Sequence, residues 1–399
     1  MSKPFRIGLV MQGGTNWIGG IEYIKNIVFA LSMLPPEVKA KFEIYLICDP
    51  DLDTDLYRSI LEHIRAIFYL KSNNVLTKIR STIQRIVAQE NHPRVVKFLK
   101  QNALNEIDFL YPYFSVRYNP YPSAAWIPDF QHKYLPANFT SIDIIERNQL
   151  FQRFAKHAPQ LVVSSESAKL DLFKFFPESL NRKVQVLSFA AFPLASWYIN
   201  QPEEIIKKYN LPSKYFLVSN QFWQHKNHDV VFRAMKVLRD RDIQIDIVFT
   251  GKLDDFRDPH YIKHIYKTID EFQLTERVHL LGLIPKIDQV QLIRTCLAMI
   301  QPSLFEGWST VVEDARCFGK RIALSDLPVH LEQNPPDALF FARSEPAQLA
   351  EILEQWWHQL ESGVNLSGEA IARENNYLRI QSFAHQFLAI AGIDSVSKF

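Results

Sequence analysis

Residues 305–326 read FEGWSTVVEDARCFGKRIALSD and set two acidic steps beside a helix start. Glu306-Gly307 follows the apolar run 298–302 (AMIQP), Ser309 and Thr310 open a helical pattern, and Glu313-Asp314 comes about two turns later. The first turn of a helix presents unpaired N–H groups and about half a positive charge, which suits a phosphate, while carboxylates close by accept hydrogen bonds from sugar hydroxyls. A nucleotide-sugar pocket fits that combination. Taken alone, the two acids read more readily as a helix cap and a surface charge.

Two further stretches carry polar chemistry. Residues 5–11 (FRIGLVM) read as a buried parallel strand, followed by Gly13-Gly14, a short loop, Gly19-Gly20 and a helical pattern over 21–34. These glycines suit a tight turn or a close backbone approach to an anion; their spacing is not GxGxxG, so no dinucleotide fingerprint is present. Residues 124–127 (AAWI) form a short strand leading into Pro128-Asp129-Phe130-Gln131-His132-Lys133. Polar groups there stand at the carboxyl edge of a parallel sheet, where open α/β folds bind ligands. His132 is therefore a site candidate, with a structural histidine as the alternative.

Metal chemistry is not expected. The aspartates of 49–55 lack the calcium loop's glycine, where Thr54 stands, and its closing glutamate, where Ile60 stands. His260 and His264 have Tyr261 in place of the glutamate of a HExxH zinc site.

The elements that must position these residues alternate strand and helix. In the first half, strands are expected at 5–11, 42–48, 107–114, 124–127, 161–165 and 184–187, with a helix over 166–176. Pro193, Pro202 and Pro212 mark a linker, after which the pattern restarts. Strands at 215–219, 243–250, 278–281 and 298–302 then alternate with helices at 229–239, 262–272 and 288–295. That alternation predicts a second doubly wound parallel sheet. The domains read as 1–195, a linker 196–213, a second domain 214–375, and a helical tail 376–399 packing back on the first.

The 399 residues exceed one ordinary core and suit two domains. A 47% hydrophobic and 22% charged composition is that of a soluble globular chain, and a net charge of +2 gives no whole-protein field for nucleic acid. Cys48, Cys296 and Cys317 are odd in number and form no CxxC, against a disulfide framework. With no apolar run long enough to span a bilayer, a cytoplasmic location is expected. Residues 58–100 hold nine Lys or Arg against two Glu, with Ile79, Ile83, Ile86 and Val87 at helical spacing. Such a segment suits a peripheral contact with an anionic membrane or lipid-linked acceptor, or is simply a solvated helix face.

Together, the Gly19-Gly20-Ile21-Glu22 stretch, WIPDFQHKYLP at 126–136, the Lys-Asn pair of QHKNH and the acidic pair after 298–302 resemble the retaining family-4 glycosyltransferases. That resemblance implies the GT-B fold, two Rossmann-like α/β domains facing a central cleft. It implies that Gly19 and Gly20 approach the donor diphosphate and that Lys226 neutralises it. The family usually has an arginine five residues before that lysine; Gln221 stands there instead. Gly282, Leu283 and Ile284 would border the base, with Gly307, Ser309 and Thr310 near the phosphates. The family's Glu-x7-Glu motif maps onto Glu306 and Asp314, assigning Glu306 to the sugar and Asp314 to the ribose, with Glu313 as the alternative. His132 would lie near the transferred sugar, with Asp129 near the acceptor or shaping the loop.

The activity so implied is metal-independent retaining hexosyl transfer, without a cofactor, from a nucleoside diphosphate sugar, UDP-linked, to a saccharide or polyprenyl-linked acceptor in cell-envelope polysaccharide synthesis. The alternatives are a nucleotide-sugar 2-epimerase or hydrolase on the same fold and a donor-binding subunit without catalysis.

Overall fold

A computed structural model describes residues 3–13, 18–48, 54–69, 107–113, 122–199, 202–255 and 257–394. Its first half holds β1 (Phe5–Val10), β2 (Phe42–Cys48), β3 (Ala66–Tyr69) and β4 (Phe109–Tyr111) in the order β3-β2-β1-β4. A second sheet follows, β5 (Ala125–Ile127), β6 (Gln160–Val163) and β7 (Lys183–Val186), in sequence order. A parallel bridge from Leu110 to Ser123 joins the two, and Tyr113 N donates to Ala124 O at 2.9 Å. All these pairings are parallel, so the wall is one Rossmann-like run with a break at β4–β5.

The second half holds β8 (Phe216–Ser219), β9 (Ile247–Thr250), β10 (Val278–Leu280), β11 (Met299–Gln301), β12 (Ile322–Ser325) and β13 (Leu339–Phe341). They form one parallel six-stranded sheet ordered β10-β9-β8-β11-β12-β13. The order reverses between β8 and β11, and in doubly wound sheets ligands bind beyond the strand ends at that reversal. The loops leaving β8 and β11 carry Lys226 and Glu306.

These strands form because continuous apolar runs can be buried on both faces. Leu217, Val218, Ile247, Val248, Phe249, Met299 and Ile300 are each fully buried. The long helix Leu366–Ala391 ties the halves together. Its Ile380, Phe383, Ala384, Phe387 and Leu388 join the core built on β1 and β2. Its Glu369 and Arg379 instead pair with Arg294 and Glu313 of the second half. A second clasp is Glu332, whose carboxylate accepts from Glu166 N at 2.8 Å and Ser167 N at 2.9 Å, at the start of the helix Glu166–Phe175.

Several expectations need correction. Gly19 and Gly20 lie inside the helix Ile18–Ser32 rather than in the turn before it. The strand expected over 243–250 is only β9, because Asp242 (φ 60°) and the Ile243 N to Leu238 O bond at 2.9 Å terminate the preceding helix there. Part of the basic segment is not helical: 66–69 is the edge strand β3, paired with β2, while residues 70–100 lie outside the described residues. Strands β12 and β13 were not anticipated. Among the described residues no helix is long and apolar enough to cross a membrane.

Candidate active site

Lys226 ends a 3-10 turn, Gln224–Lys226, just beyond β8. Asn227 then adopts φ 56°, and its Nδ2 donates to Pro302 O at 3.1 Å and Arg343 O at 3.0 Å, locking the turn against the loop after β11. The lysine Nζ thereby reaches Glu306 Oε1 at 2.6 Å. Both side chains are mostly shielded, at 15% and 11% exposure, and both line the cleft.

Glu306 Oε1 is a convergence point. Gln301 Nε2 lies 2.8 Å away and Ser303 Oγ donates at 2.7 Å. Gln301 is fully buried; its Oε1 accepts from Asn220 Nδ2 at 2.7 Å and its Nε2 also reaches Ser309 Oγ at 3.1 Å. Behind them His330 is fully buried, with Nδ1 3.0 Å from Ser325 O. Burial pushes its pKa down to about 4 against the opposing pull of Glu306, so the ring is neutral near pH 7. A carboxylate fixed by an amide, a hydroxyl and an ammonium is preorganised; it does not have to reorient when a polar ligand arrives.

The helix Thr310–Cys317 starts beside this group. Its cap Ser309 is held from behind by Gln333, whose Oε1 accepts Ser309 N at 3.1 Å and whose Nε2 donates to Ser309 O at 3.1 Å. Thr310 and Asp314 line the cleft. Glu313 is fully buried and turned away, accepting from Gln333 Nε2 at 3.0 Å and Arg379 at 2.9 Å. One residue is about 100° of helix, so the two acids face different neighbours. Asp314 in turn accepts from Lys286 Nζ at 2.6 Å.

Leu283 and Ile284 line the neighbouring wall, and Leu283 is 69% exposed. Gly282 (φ 67°) stands behind it, its carbonyl accepting from Gly251 N at 2.8 Å. Gly251 has φ 131°, and a Cβ there would sit 2.1 Å from Asn220 O, so only glycine lets these loops meet.

Across the cleft stand Gly19, Glu22, Asp129 and Gln131, while Gly20 is buried one position behind. Asp129 Oδ1 accepts from Gln131 N at 2.9 Å, fixing the loop after β5. That loop meets the loop after β11: a Cβ on Gly307 would lie 2.4 Å from Pro128 O and 2.9 Å from Asp129 Cβ.

His132 does not join this group. It is 1% exposed, its Nε2 lies 3.1 Å from Asn148 Oδ1, and its ring packs on Phe151 at 5.5 Å between centroids. Burial lowers its pKa, and the cleft wall passes through Asp129 and Gln131 instead. The single helical turn Gln131–Tyr134 rotates His132 inward, so the ring does not line the cleft.

Sequence reasoning missed Gln301, whose polar amide inside an apolar strand was a usable signal, and Asn220 and Gly251 at the neighbouring strand ends. It also missed Lys286 and Arg257, two cleft cations whose local sequence carries no signal. Among the described residues no three His, Cys, Asp or Glu side chains are grouped as a metal site requires.

Residues 201–373 match the family described as Glycosyl transferases group 1. No curated protein sequence matches the chain. Similar solved structures include sucrose-phosphate synthase from Thermosynechococcus elongatus, at TM-score 0.61 and 14% identity, covering 97% of this chain and 96% of that one. Anabaena Alr3699/HepE, solved with UDP and glucose, gives TM-score 0.62 and 15% identity over 97% of each chain. WaaG, a glycosyltransferase involved in lipopolysaccharide biosynthesis, gives TM-score 0.55 and 11% identity over 97% of this chain and 99% of that one. The second half is thus similar to glycosyl transferases group 1, and the chain as a whole has the GT-B fold of these structures.

Proposed function

We propose that the chain is a retaining hexosyltransferase that uses a nucleoside diphosphate sugar, UDP-linked, and extends a saccharide or lipid-linked acceptor of the cell envelope. The observation that carries this reading is the Lys226–Glu306 pair at the sheet's reversal point, 2.6 Å apart and facing Asp129 and Gly19 across the cleft. Lys226 and the start of the helix Thr310–Cys317 would stabilise the departing diphosphate. Glu306 would hold sugar hydroxyls, and Asp314, once shared with Lys286, the ribose. As the glycosidic bond to the phosphate breaks, the sugar becomes oxocarbenium-like. The departing phosphate oxygen then takes the acceptor's proton as the new bond forms on the same face. No protein nucleophile and no metal enter that scheme.

Nucleotide-sugar binding and product stereochemistry test the reading. UDP-glucose is the first donor to try, since Anabaena Alr3699/HepE was solved in complex with it. A true donor at a hundred times its Kd should stabilise the fold by about 2.7 kcal/mol, visible as a rise in Tm. NMR of the donor without acceptor separates the readings. A 2-epimerised sugar appears only for an epimerase, and donor binding without turnover on any acceptor indicates a binding subunit. An inverted anomeric product would refute retention.

The contact at Gly307 adds a prediction. Gly307→Ala overpacks the meeting of the two loops by about 1–2 kcal/mol, which should push them apart and reduce turnover roughly tenfold. Binding of free UDP, which needs mainly the second half, should hardly change. Unchanged turnover would show that the loops after β5 and β11 need not touch.

A further inference from the structure

Arg257 is not part of the reading above, yet it lines the same wall as Lys226. Its guanidinium is pinned by Asp255, with Nε 2.9 Å from Oδ1 and a terminal nitrogen 3.2 Å from Oδ2. Asp255 is only 3% exposed, and its Oδ2 also accepts from Gln224 N at 3.3 Å. Gln224 opens the turn that ends in Lys226, so both cations hang on one rigid frame. The guanidinium carbon lies 4.7 Å from the Trp223 ring centre, and a terminal nitrogen is 3.4 Å from His225 Nδ1. Burial drives the His225 pKa well below its usual value, reinforced by Lys226 and Arg257, so this nitrogen accepts rather than repels.

A guanidinium so fixed on a cleft wall is a binding group. Lys226 is already committed to Glu306 at 2.6 Å, and Gln221 at the end of β8 brings no charge. Lys25 and Lys286, the other lysines of the cleft wall, lie within 2.9 Å of a carboxylate, on Glu22 and Asp314, as Arg257 does on Asp255; the guanidinium differs in carrying five donors rather than three. A diphosphate carries more negative charge than one such shared ammonium balances, and planar guanidinium donors match phosphate oxygens in pairs.

We propose that Arg257, held by Asp255 and Trp223, is a second diphosphate-binding residue that acts beside Lys226. The proposal rests on the reading of the cleft as a nucleotide-sugar site. It makes Asp255 a positioning residue, whose part is to aim the guanidinium.

Binding of UDP and GDP, with uridine and guanosine as phosphate-free controls, tests it in the full chain. Arg257→Gln should weaken the bound diphosphate about ten- to a hundredfold, as expected for a lost charge-assisted hydrogen bond. The nucleoside should change less than twofold. Because Arg257→Gln strips the buried Asp255 of its cation, Arg257→Gln/Asp255→Asn is measured alongside and should show the same selective loss in a well-folded protein. Equal losses for nucleoside and diphosphate, or no loss for the diphosphate, would overturn the proposal. Wild-type protein that binds neither diphosphate would instead remove the donor-site reading beneath it.

Discussion

Lys226→Ala should lower turnover by about two to three orders of magnitude, the effect of removing one preorganised donor from a leaving group. The substitution takes away the ammonium 2.6 Å from Glu306 and leaves that carboxylate with Gln301 and Ser303 alone. Two losses follow from one deletion. The diphosphate departs without its nearest point charge, and the carboxylate meant for the sugar loses its strongest orienting partner. Some stability should be lost as well, since the pair is mostly shielded and removing Lys226 leaves the Glu306 charge without its cation, so turnover is compared well below the variant's Tm. Release of nucleoside diphosphate in the presence of donor and acceptor is the measurement, with Tm as the control. Lys226→Arg should recover little, because a planar fork cannot reproduce a compact ammonium in the same space. Near wild-type turnover by Lys226→Ala would refute the assignment.

Glu369→Ala should destabilise the fold by about 3–5 kcal/mol, the usual cost of orphaning a buried charge. Arg294 and Glu369 are 2% and 4% exposed, and the guanidinium meets both carboxylate oxygens, at 2.8 and 3.0 Å. Without the carboxylate, Arg294 retains neutral partners such as Gln291 Oε1 at 3.0 Å, which do not balance a full charge. Thermal or urea unfolding would report the loss, on the order of a 10 °C fall in Tm for a domain of this size. The pair Arg294→Met/Glu369→Leu should regain most of it, because well-packed apolar groups often replace a buried ion pair without net cost. A small effect of Glu369→Ala would mean that water reaches Arg294.

The parallel architecture was readable because its strands are long apolar runs. FEIYLIC is β2 residue for residue, and AMIQP contains β11. The strands missed are the ones whose sequence is ambiguous: β12 (IALS) lies inside the acidic stretch, and β13 is only LFF. Lys226, named through the family resemblance, and Glu306, named from the acidic step after 298–302, stand on loops at strand ends and meet at 2.6 Å. Site residues were not legible where helical phase decides. His132 and Gln131 differ by one position in a single turn, and only packing against Phe151 turns the first inward. Arg257 lies within DDFRD, where local sequence does not tell which of three aspartates is buried; Asp255 is, and that sets the arginine's place.

The helix Leu366–Ala391 has a consequence for how the protein is made. The strands β1 to β4 are synthesised first, but the core above them is completed by Ile380, Phe383, Phe387 and Leu388, which follow the whole second sheet. Emerging from the ribosome, the first half therefore lacks the part of its core that these residues supply, while the second half can close its own sheet. Domains usually mature in the order of synthesis; here the half that emerges first must finish last.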